Sequence, residues 1–456
     1  MRVYSARWVV PVSSPPVPHG AVAVDDAGRI AYAGPRAGAP AAPVEALGDA
    51  VLLPGLVDAH THLELTAFRG LLEHADFFAW VRALTRARAE VLADADLRDA
   101  AHAGVCEGLA AGVTTYADTT ASGAPLDALC ALGARGVVYQ EVFGPDPAQR
   151  AGALAGLRQH VAALRARAAA ANAADRVRVG VSPHAVYSVH EDLLLDACAW
   201  AVGEGLPVAM HVSESPAEVA FLREAGGPFA DFLRGRGIDV VRRAHSPVHL
   251  LAELGVAAVA RPLLIHGVQF DASDVALAAH YDCPVAHCPA SNAKLGHGVA
   301  PLRALLDAGV RVGLGTDSVA SNNRLDVLDE ARTAALAQRA SLRRADALTA
   351  DEALHLATLG GARALGLGHE IGSLEAGKQA DLCAFALDPA DPRADADADP
   401  VAALVFALAG RPALLTVVQG REVARAGRAL GADPATLARV RAAAARLRAW
   451  AAANAA

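Results

Sequence analysis

Between Pro54 and Gly368, short apolar runs alternate eight times with Ala-, Leu- and Arg-rich stretches of helical length. The eight runs are LVDAHTHLE, VTTYAD, GVVYQEVFG, VRVGVSPHAVY, LPVAMHVSE, PLLIHGVQ, CPVAHCPAS and VRVGLGTDS. Repeated strand and helix units pack as a parallel sheet covered by helices. Eight of them in succession favour a (β/α)8 barrel over an open doubly wound sheet. The polar residues gather at the C-terminal ends of these runs, where active sites of such barrels are built.

The two ends of the chain are written differently. Residues 1–53 read as short strands and turns, with AVAVDDAGRIAYAG carrying a Gly-containing hairpin tip. Similar patterning returns in GSLEAGKQADLCAF and ALLTVVQGREVARAGRAL. The expectation is an α/β protein: a TIM-like barrel over 54–368, and a small β-sandwich domain formed by both chain ends, from 1–53 and 369–456. The acidic stretch from Asp388 to Pro400 lacks the Gly and terminal Glu of a calcium-binding EF-hand loop and reads as a surface loop. The final segment, PATLARVRAAAARLRAWAAANAA, reads as an Ala/Arg helix that either packs on the barrel or serves contact in a homodimer.

With 456 residues, 54% of them hydrophobic, the chain can bury a large core. A formal net charge of −8 gives no basic surface for a nucleic acid polymer, whereas a small heterocyclic molecule up to the size of a nucleoside is compatible with it. Six cysteines without a CxxC pair read as buried free thiols in a reducing compartment. Met1 to Val10 shows no basic region followed by a long apolar run, and no uncharged apolar stretch of about 18 residues occurs elsewhere, so a cytoplasmic protein without a membrane segment is expected.

His60 and His62 end the first barrel run, and their i, i+2 spacing on a strand sends both imidazoles to one face. Neutral imidazoles that converge at a barrel mouth are good ligands for a borderline-soft divalent metal. His211 ends run five, His266 run six and Asp317 run eight. Polar groups placed after buried strands are costly unless they are used, so this set points to metal binding. Glu214 follows His211 as His-x-x-Glu and reaches past the strand, which suits a general acid/base facing an attacking water. Its structural alternative is a carboxylate answering a helix dipole.

Together, PGLVDAHTH, the His-x-x-Glu, the strand-six His and the Thr-Asp-Ser after strand eight resemble the amidohydrolase superfamily, and within it the cytosine-deaminase-like and chlorohydrolase-like branch. The resemblance spans nearly the whole chain. It implies His60, His62, His211 and Asp317 as ligands of one divalent metal, Zn2+ first with Fe2+ or Mn2+ as alternatives. It further implies Glu214 as proton shuttle and His266 as polarising partner, with Asp317 also orienting the water. Relatives with two metals bridge them by a carboxylated lysine on strand four; VRVGVSPHAVY has none, so the single-metal subtype is implied. The other kind of zinc deaminase is excluded because His287-Cys288-Pro289-Ala290-Ser291 lacks the second cysteine of its motif.

SPHAVYS, with His184 and Tyr187, resembles the strand-four signature of relatives that deaminate adenine nucleosides such as S-adenosylhomocysteine, methylthioadenosine or aminodeoxyfutalosine. The resemblance implies His184 and Glu214 as substrate contacts. HTHLELTAFRG followed by FFAWVRALTRAR resembles the aminodeoxyfutalosine branch more than the methylthioadenosine branch. The expected activity is hydrolytic deamination of a 6-aminopurine nucleoside with release of ammonia, aminodeoxyfutalosine of menaquinone biosynthesis being the first choice. The alternatives are a chlorohydrolase, N-alkylaminohydrolase or cyclic amidohydrolase acting on another heterocycle, and a non-catalytic structural barrel. Phe77, Phe78 and Trp80 either stack on a purine or pack in the core, and Asn292 and Lys294 either contact substrate or anchor their loop.

Overall fold

The computed structural model describes residues 1–73, 76–387 and 399–454. The N-terminal part forms β1 (Arg2–Val9), β2 (Val17–Val24), β3 (Ile30–Pro35), β4 (Val44–Ala46) and β5 (Ala50–Pro54). Eight strands follow: β6 (Leu56–Thr61), β7 (Val113–Thr120), β8 (Arg135–Val142), β9 (Val177–Pro183), β10 (Ala209–Val212), β11 (Leu263–His266), β12 (Val285–His287) and β13 (Val312–Leu314). The C-terminal part adds β14 (Leu382–Ala386), β15 (Leu415–Val418), β16 (Arg421–Arg425) and β17 (Arg428–Ala429).

β6 to β13 fall on the eight runs read from the sequence. They form two parallel sheets of four strands, β6-β7-β8-β9 and β10-β11-β12-β13, in a TIM-barrel-like α/β arrangement. The sheets touch at both edges. Val181 bridges to Val208, with the Val181 N–H donating to the Pro207 carbonyl at 2.9 Å. Thr61 bridges to Asp317, whose N–H donates to the His60 carbonyl at 2.8 Å. Because the helices between strands cover the sheets, residues on both strand faces are shielded, and every residue of β6 and β7 is buried.

Strands from the two chain ends join in one nine-stranded sheet, running β17-β16-β15-β14-β5-β1-β2-β3 with β4 beside β1. The seam is antiparallel pairing of β5 with β14, from Leu382 opposite Pro54 to Ala386 opposite Ala50. This sheet is tied to the parallel strands by a buried ion pair. Arg135 on β8 donates through Nε to Asp381 Oδ2 at 2.6 Å, and both side chains are 2% exposed. Arg135→Ala strands the Asp381 carboxylate away from solvent, and a loss of about 3–5 kcal/mol in unfolding free energy is expected from chemical denaturation. A loss below about 1 kcal/mol would show that the pair does not hold the two parts together.

The C-terminal helix Pro434–Ala453 packs on the helices Phe77–Val91 and Asp94–Ala110, burying Ala443 and Leu447. Arg439 pairs with Asp99 at 2.6 Å, Arg446 with Asp96 at 2.7 Å, and the Trp450 indole donates to Glu90 at 2.7 Å. The packing alternative read from the sequence is therefore the one observed within the chain. All six cysteines are free, and all but Cys130 are buried. The acidic stretch read as a surface loop lies outside the described residues from 388 to 398; Asp399 caps the short helix Pro400–Ala402. Among the described residues no helix is long and apolar enough to cross a membrane.

Candidate active site

His60, His62, His211, His266, Glu214 and Asp317 converge at the C-terminal ends of β6, β10, β11 and β13. The His60 ring centroid lies 4.8 Å from that of His62, 5.0 Å from His211 and 5.6 Å from His266. Asp317 Oδ1 approaches His60 Nε2 at 3.3 Å and His62 Nε2 at 3.6 Å. The two histidines of β6 meet by a less regular route than simple alternation. The strand slips register between Asp58 and Thr61, and His62 already opens the 3-10 helix Leu63–Phe68. His266 (φ 76°) and Asp317 (φ 57°) hold left-handed backbone, as does Ser213 (φ 50°) just before Glu214, a strain that recurs where side chains are aimed at a reacting centre.

The hydrogen bonds around these groups leave one atom of each turned inward. His211 Nδ1 donates to the His184 carbonyl at 3.2 Å, which leaves Nε2 as its free nitrogen. Asp317 Oδ2 accepts from the Ser291 hydroxyl at 2.5 Å and the Ser321 hydroxyl at 2.9 Å, so Oδ1 remains for His60 and His62. The Thr119 hydroxyl lies 3.2 Å from His62 Nδ1. Neither nitrogen of the buried His60 ring makes a hydrogen bond of acceptable geometry. A buried imidazole without a partner is costly, and three nitrogens plus one carboxylate oxygen are the donor set that a divalent ion of the zinc type takes. The residues present thus fit one such ion.

Electrostatics point the same way. Burial pushes His60 down to about 4, against the opposing pull of Asp317, and burial with the neighbouring histidines holds His211 well below the usual imidazole range. These rings are neutral, as metal ligation requires. Burial acts to raise Asp317, yet His60, His266 and His62 outweigh it and keep the carboxylate charged.

Glu214 lies just beyond, with Oε1 at 3.8 Å from His266 Nε2 and 3.6 Å from His297 Nε2. Burial acts to raise its pKa, but His266 and His297 outweigh that and hold it below the usual carboxylate value. The helix Pro216–Glu224 starts from Ser215 as N-cap, and Glu218 returns to accept the Glu214 N–H at 2.8 Å. The helix terminus is thereby answered by Glu218, which leaves the Glu214 side chain for other work.

His266 donates from Nδ1 to Asn292 Oδ1 at 3.0 Å, turning Nε2 towards Glu214. Asn292 thus anchors a histidine. Lys294 is engaged with Glu73 at 2.9 Å and the Ala320 carbonyl at 3.2 Å, which makes it a loop anchor. Asn292→Ala should lower kcat by about 10- to 100-fold with little change in KM, because the imidazole loses its tautomer and aim. An unaltered kcat would show that Asn292 has no part in aligning His266.

His184, on the turn after β9, sits 4.7 Å from the His211 ring, its Nδ1 held by the Ser188 hydroxyl at 2.7 Å. Phe77, Phe78 and Trp80 pack among themselves and against neighbours: Phe77 stacks on Trp80 at 6.3 Å, and Phe78 meets Phe229 edge-on at 5.5 Å. Phe77 also stands edge-on to His297 at 4.5 Å. Two groups of this region carry no signal in the sequence reading. His297 follows a helix instead of a strand, and Glu141 is the penultimate residue of β8 in a run that reads as an ordinary buried strand.

A TIM-barrel-like fold with three imidazoles, a carboxylate and a buried glutamate at its strand ends is the build of a hydrolase. The chain belongs to the amidohydrolase family, whose pattern matches residues 51–423, and its deaminase relatives make it a hydrolase acting on carbon–nitrogen bonds. It is 33% identical over 423 residues, 91% of each chain, to a 5-methylthioadenosine/S-adenosylhomocysteine deaminase of Moorella thermoacetica. A protein of the same name from Halobacterium salinarum is 35% identical over 426 residues, 92% of each chain. Among solved structures, an adenosine deaminase from Xanthomonas campestris with bound zinc superposes with a TM-score of 0.85 at 28% identity, covering 98% of both chains.

Proposed function

We propose that the protein is a hydrolytic deaminase of 6-aminopurine nucleosides that works with one divalent metal ion. The observation that carries this reading is the placement of Glu214, charged and flanked by His266 and His297 at 3.8 and 3.6 Å, beside two ligand triads that share His60: His60, His62 and Asp317, and His60, His211 and His266. The names of the relatives support the nucleoside class, since each acts on an adenine nucleoside. They favour 5′-substituted adenosines such as methylthioadenosine or S-adenosylhomocysteine; aminodeoxyfutalosine, favoured by the segment after strand one, belongs to the same chemical class and stays among the candidates.

In this reading His60, His62, His211 and Asp317 hold the ion, zinc first, with iron or manganese as alternatives. The ion supplies the Lewis acidity that makes water nucleophilic near neutral pH. Glu214 accepts the proton of the attacking water and delivers it to the ring nitrogen beside C6. His266, aimed by Asn292, and Asp317 orient that water. Glu214 then takes the proton of the hydroxyl now on C6 and passes it to the amino group; the C6–N bond breaks, ammonia leaves, and C6 keeps a carbonyl. His184 contacts the substrate. The architecture that supports this chemistry is read as a closed (β/α)8 barrel over 54–368 with a sandwich-like β-domain from 1–53 and 369–456.

The experiment is product analysis on metal-loaded protein with 6-aminopurine nucleosides, chlorinated or alkylamino triazines and cyclic amides side by side. Ammonia from the nucleosides is the expected result. Chloride, alkylamine or ring-opened product without nucleoside turnover would replace the reading with the corresponding hydrolase.

A further inference from the structure

Glu214 faces two imidazole nitrogens, and they are not equivalent. His266 carries its proton on Nδ1, where Asn292 Oδ1 accepts it at 3.0 Å, so its Nε2 presents a lone pair to Glu214. A lone pair accepts from an attacking water but cannot hold a carboxylate. His297 is placed the other way round. Among the described residues its buried ring makes no hydrogen bond, and the carboxylate it faces is Glu214, with Oε1 3.6 Å from Nε2. The tautomer of an imidazole follows the partner its nitrogens find, so the proton of this ring belongs on Nε2. Catalytic hydrogen bonds are often this long before substrate binds and tighten with it.

The local sequence Gly-His-Gly aims the ring. His297 stands between Gly296 (φ 72°) and Gly298 (φ 107°), both in left-handed conformations that a side chain would make costly. Its N–H donates to the Asn292 carbonyl at 2.9 Å, and its own carbonyl accepts from Gln269 Nε2 at 2.8 Å. Phe77 packs edge-on against the ring at 4.5 Å. Asn292 thus ties both histidines, His266 through its side chain and His297 through its backbone. A ring braced in this way with a buried nitrogen unpaired is costly unless that nitrogen is used.

We infer that His297 is the positioning residue of the proton shuttle: its Nε2–H donates to Glu214 Oε1 and sets the direction in which the carboxylate meets the attacking water. The inference rests on the reading of Glu214 as shuttle and deepens it, because it gives the two histidines separate tasks. His266 accepts from the water, and His297 holds the base.

The test is a double-mutant cycle on zinc-loaded protein with His297→Leu, Glu214→Gln and the two combined, using whichever compound the product analysis shows to be turned over. Metal content and thermal midpoint are recorded for each variant. His297→Leu should lower kcat by about 10- to 100-fold with KM nearly unchanged, and His297→Gln, whose amide can donate from a similar place, should recover most of that loss. In the Glu214→Gln background, His297→Leu should cost no further activity, since its effect runs through the carboxylate. An undiminished loss in that background, equal losses in the Leu and Gln variants, or a raised KM in place of the lowered kcat overturns the positioning role. A second readout is independent of turnover: nitrogen-15 spectra of histidine-labelled protein, with the His297 signal assigned by its absence from His297→Gln. That signal should show the proton on Nε2 and should shift in Glu214→Gln. A proton on Nδ1, or a signal indifferent to Glu214→Gln, overturns the inference even in an active deaminase. No ammonia from any nucleoside, with the Nε2 proton and its response to Glu214→Gln intact, overturns the deaminase reading alone.

Discussion

Glu214→Gln should lower turnover by about 10²- to 10⁴-fold while the protein stays folded and keeps its metal. The substitution preserves shape and the backbone N–H that Glu218 accepts, so the helix Pro216–Glu224 retains its start. What is lost is a group able to take and return a proton at a site where His266 and His297 hold the carboxylate charged. Because Glu214 is not among the proposed ligands, metal content should remain at that of the wild type. Steady-state kinetics and metal analysis on the same preparation check this. A variant that keeps more than a tenth of wild-type activity would show that the proton passes through another group, and loss of metal would make Glu214 a ligand.

His60→Ala and His211→Ala should each strip the metal and abolish activity, and chelation of the wild-type protein should do the same reversibly. His60 is the more telling of the two. Its ring is fully buried, meets only Asp317 Oδ1, at 3.3 Å, and stands about equally far from His62 and His211. A buried imidazole with so little of its hydrogen-bonding capacity used is costly unless an ion completes it. Since an ion binds the folded chain preferentially, zinc at about 100 times its dissociation constant should stabilise the wild type by about 2.7 kcal/mol, and the His60→Ala variant should lose that gain. Thermal denaturation with and without zinc reads the difference. Equal stabilisation of the two proteins would place the metal elsewhere.

The parallel strands were legible in the sequence because each is a short apolar run between helical stretches, shielded on both faces and therefore free of competing polar pattern. His60, His211, His266 and Asp317 were legible for a related reason: a polar residue that closes an apolar strand stands out. His297 and Glu141 were not. His297 reaches Glu214 from a loop after the helix Pro289–Lys294, and Glu141 lies near the end of a strand whose mouth-facing end carries no motif, so both acquire meaning only when the topology brings distant strands together. The same limit applies to the nine-stranded sheet, whose seam joins Pro54 to Leu382 across more than half of the chain. Asn292 could be read as a substrate contact or as a loop anchor until His266 Nδ1 was seen to point at it.

The central claim is tested most directly by incubating zinc-loaded protein with 5′-methylthioadenosine, S-adenosylhomocysteine, adenosine and aminodeoxyfutalosine while following ammonia and the purine chromophore together. The account predicts ammonia and 6-oxopurine nucleoside in equal amounts from at least one of them, absent with Glu214→Gln and after chelation. Folded, metal-replete protein that releases ammonia from none of these nucleosides would contradict it.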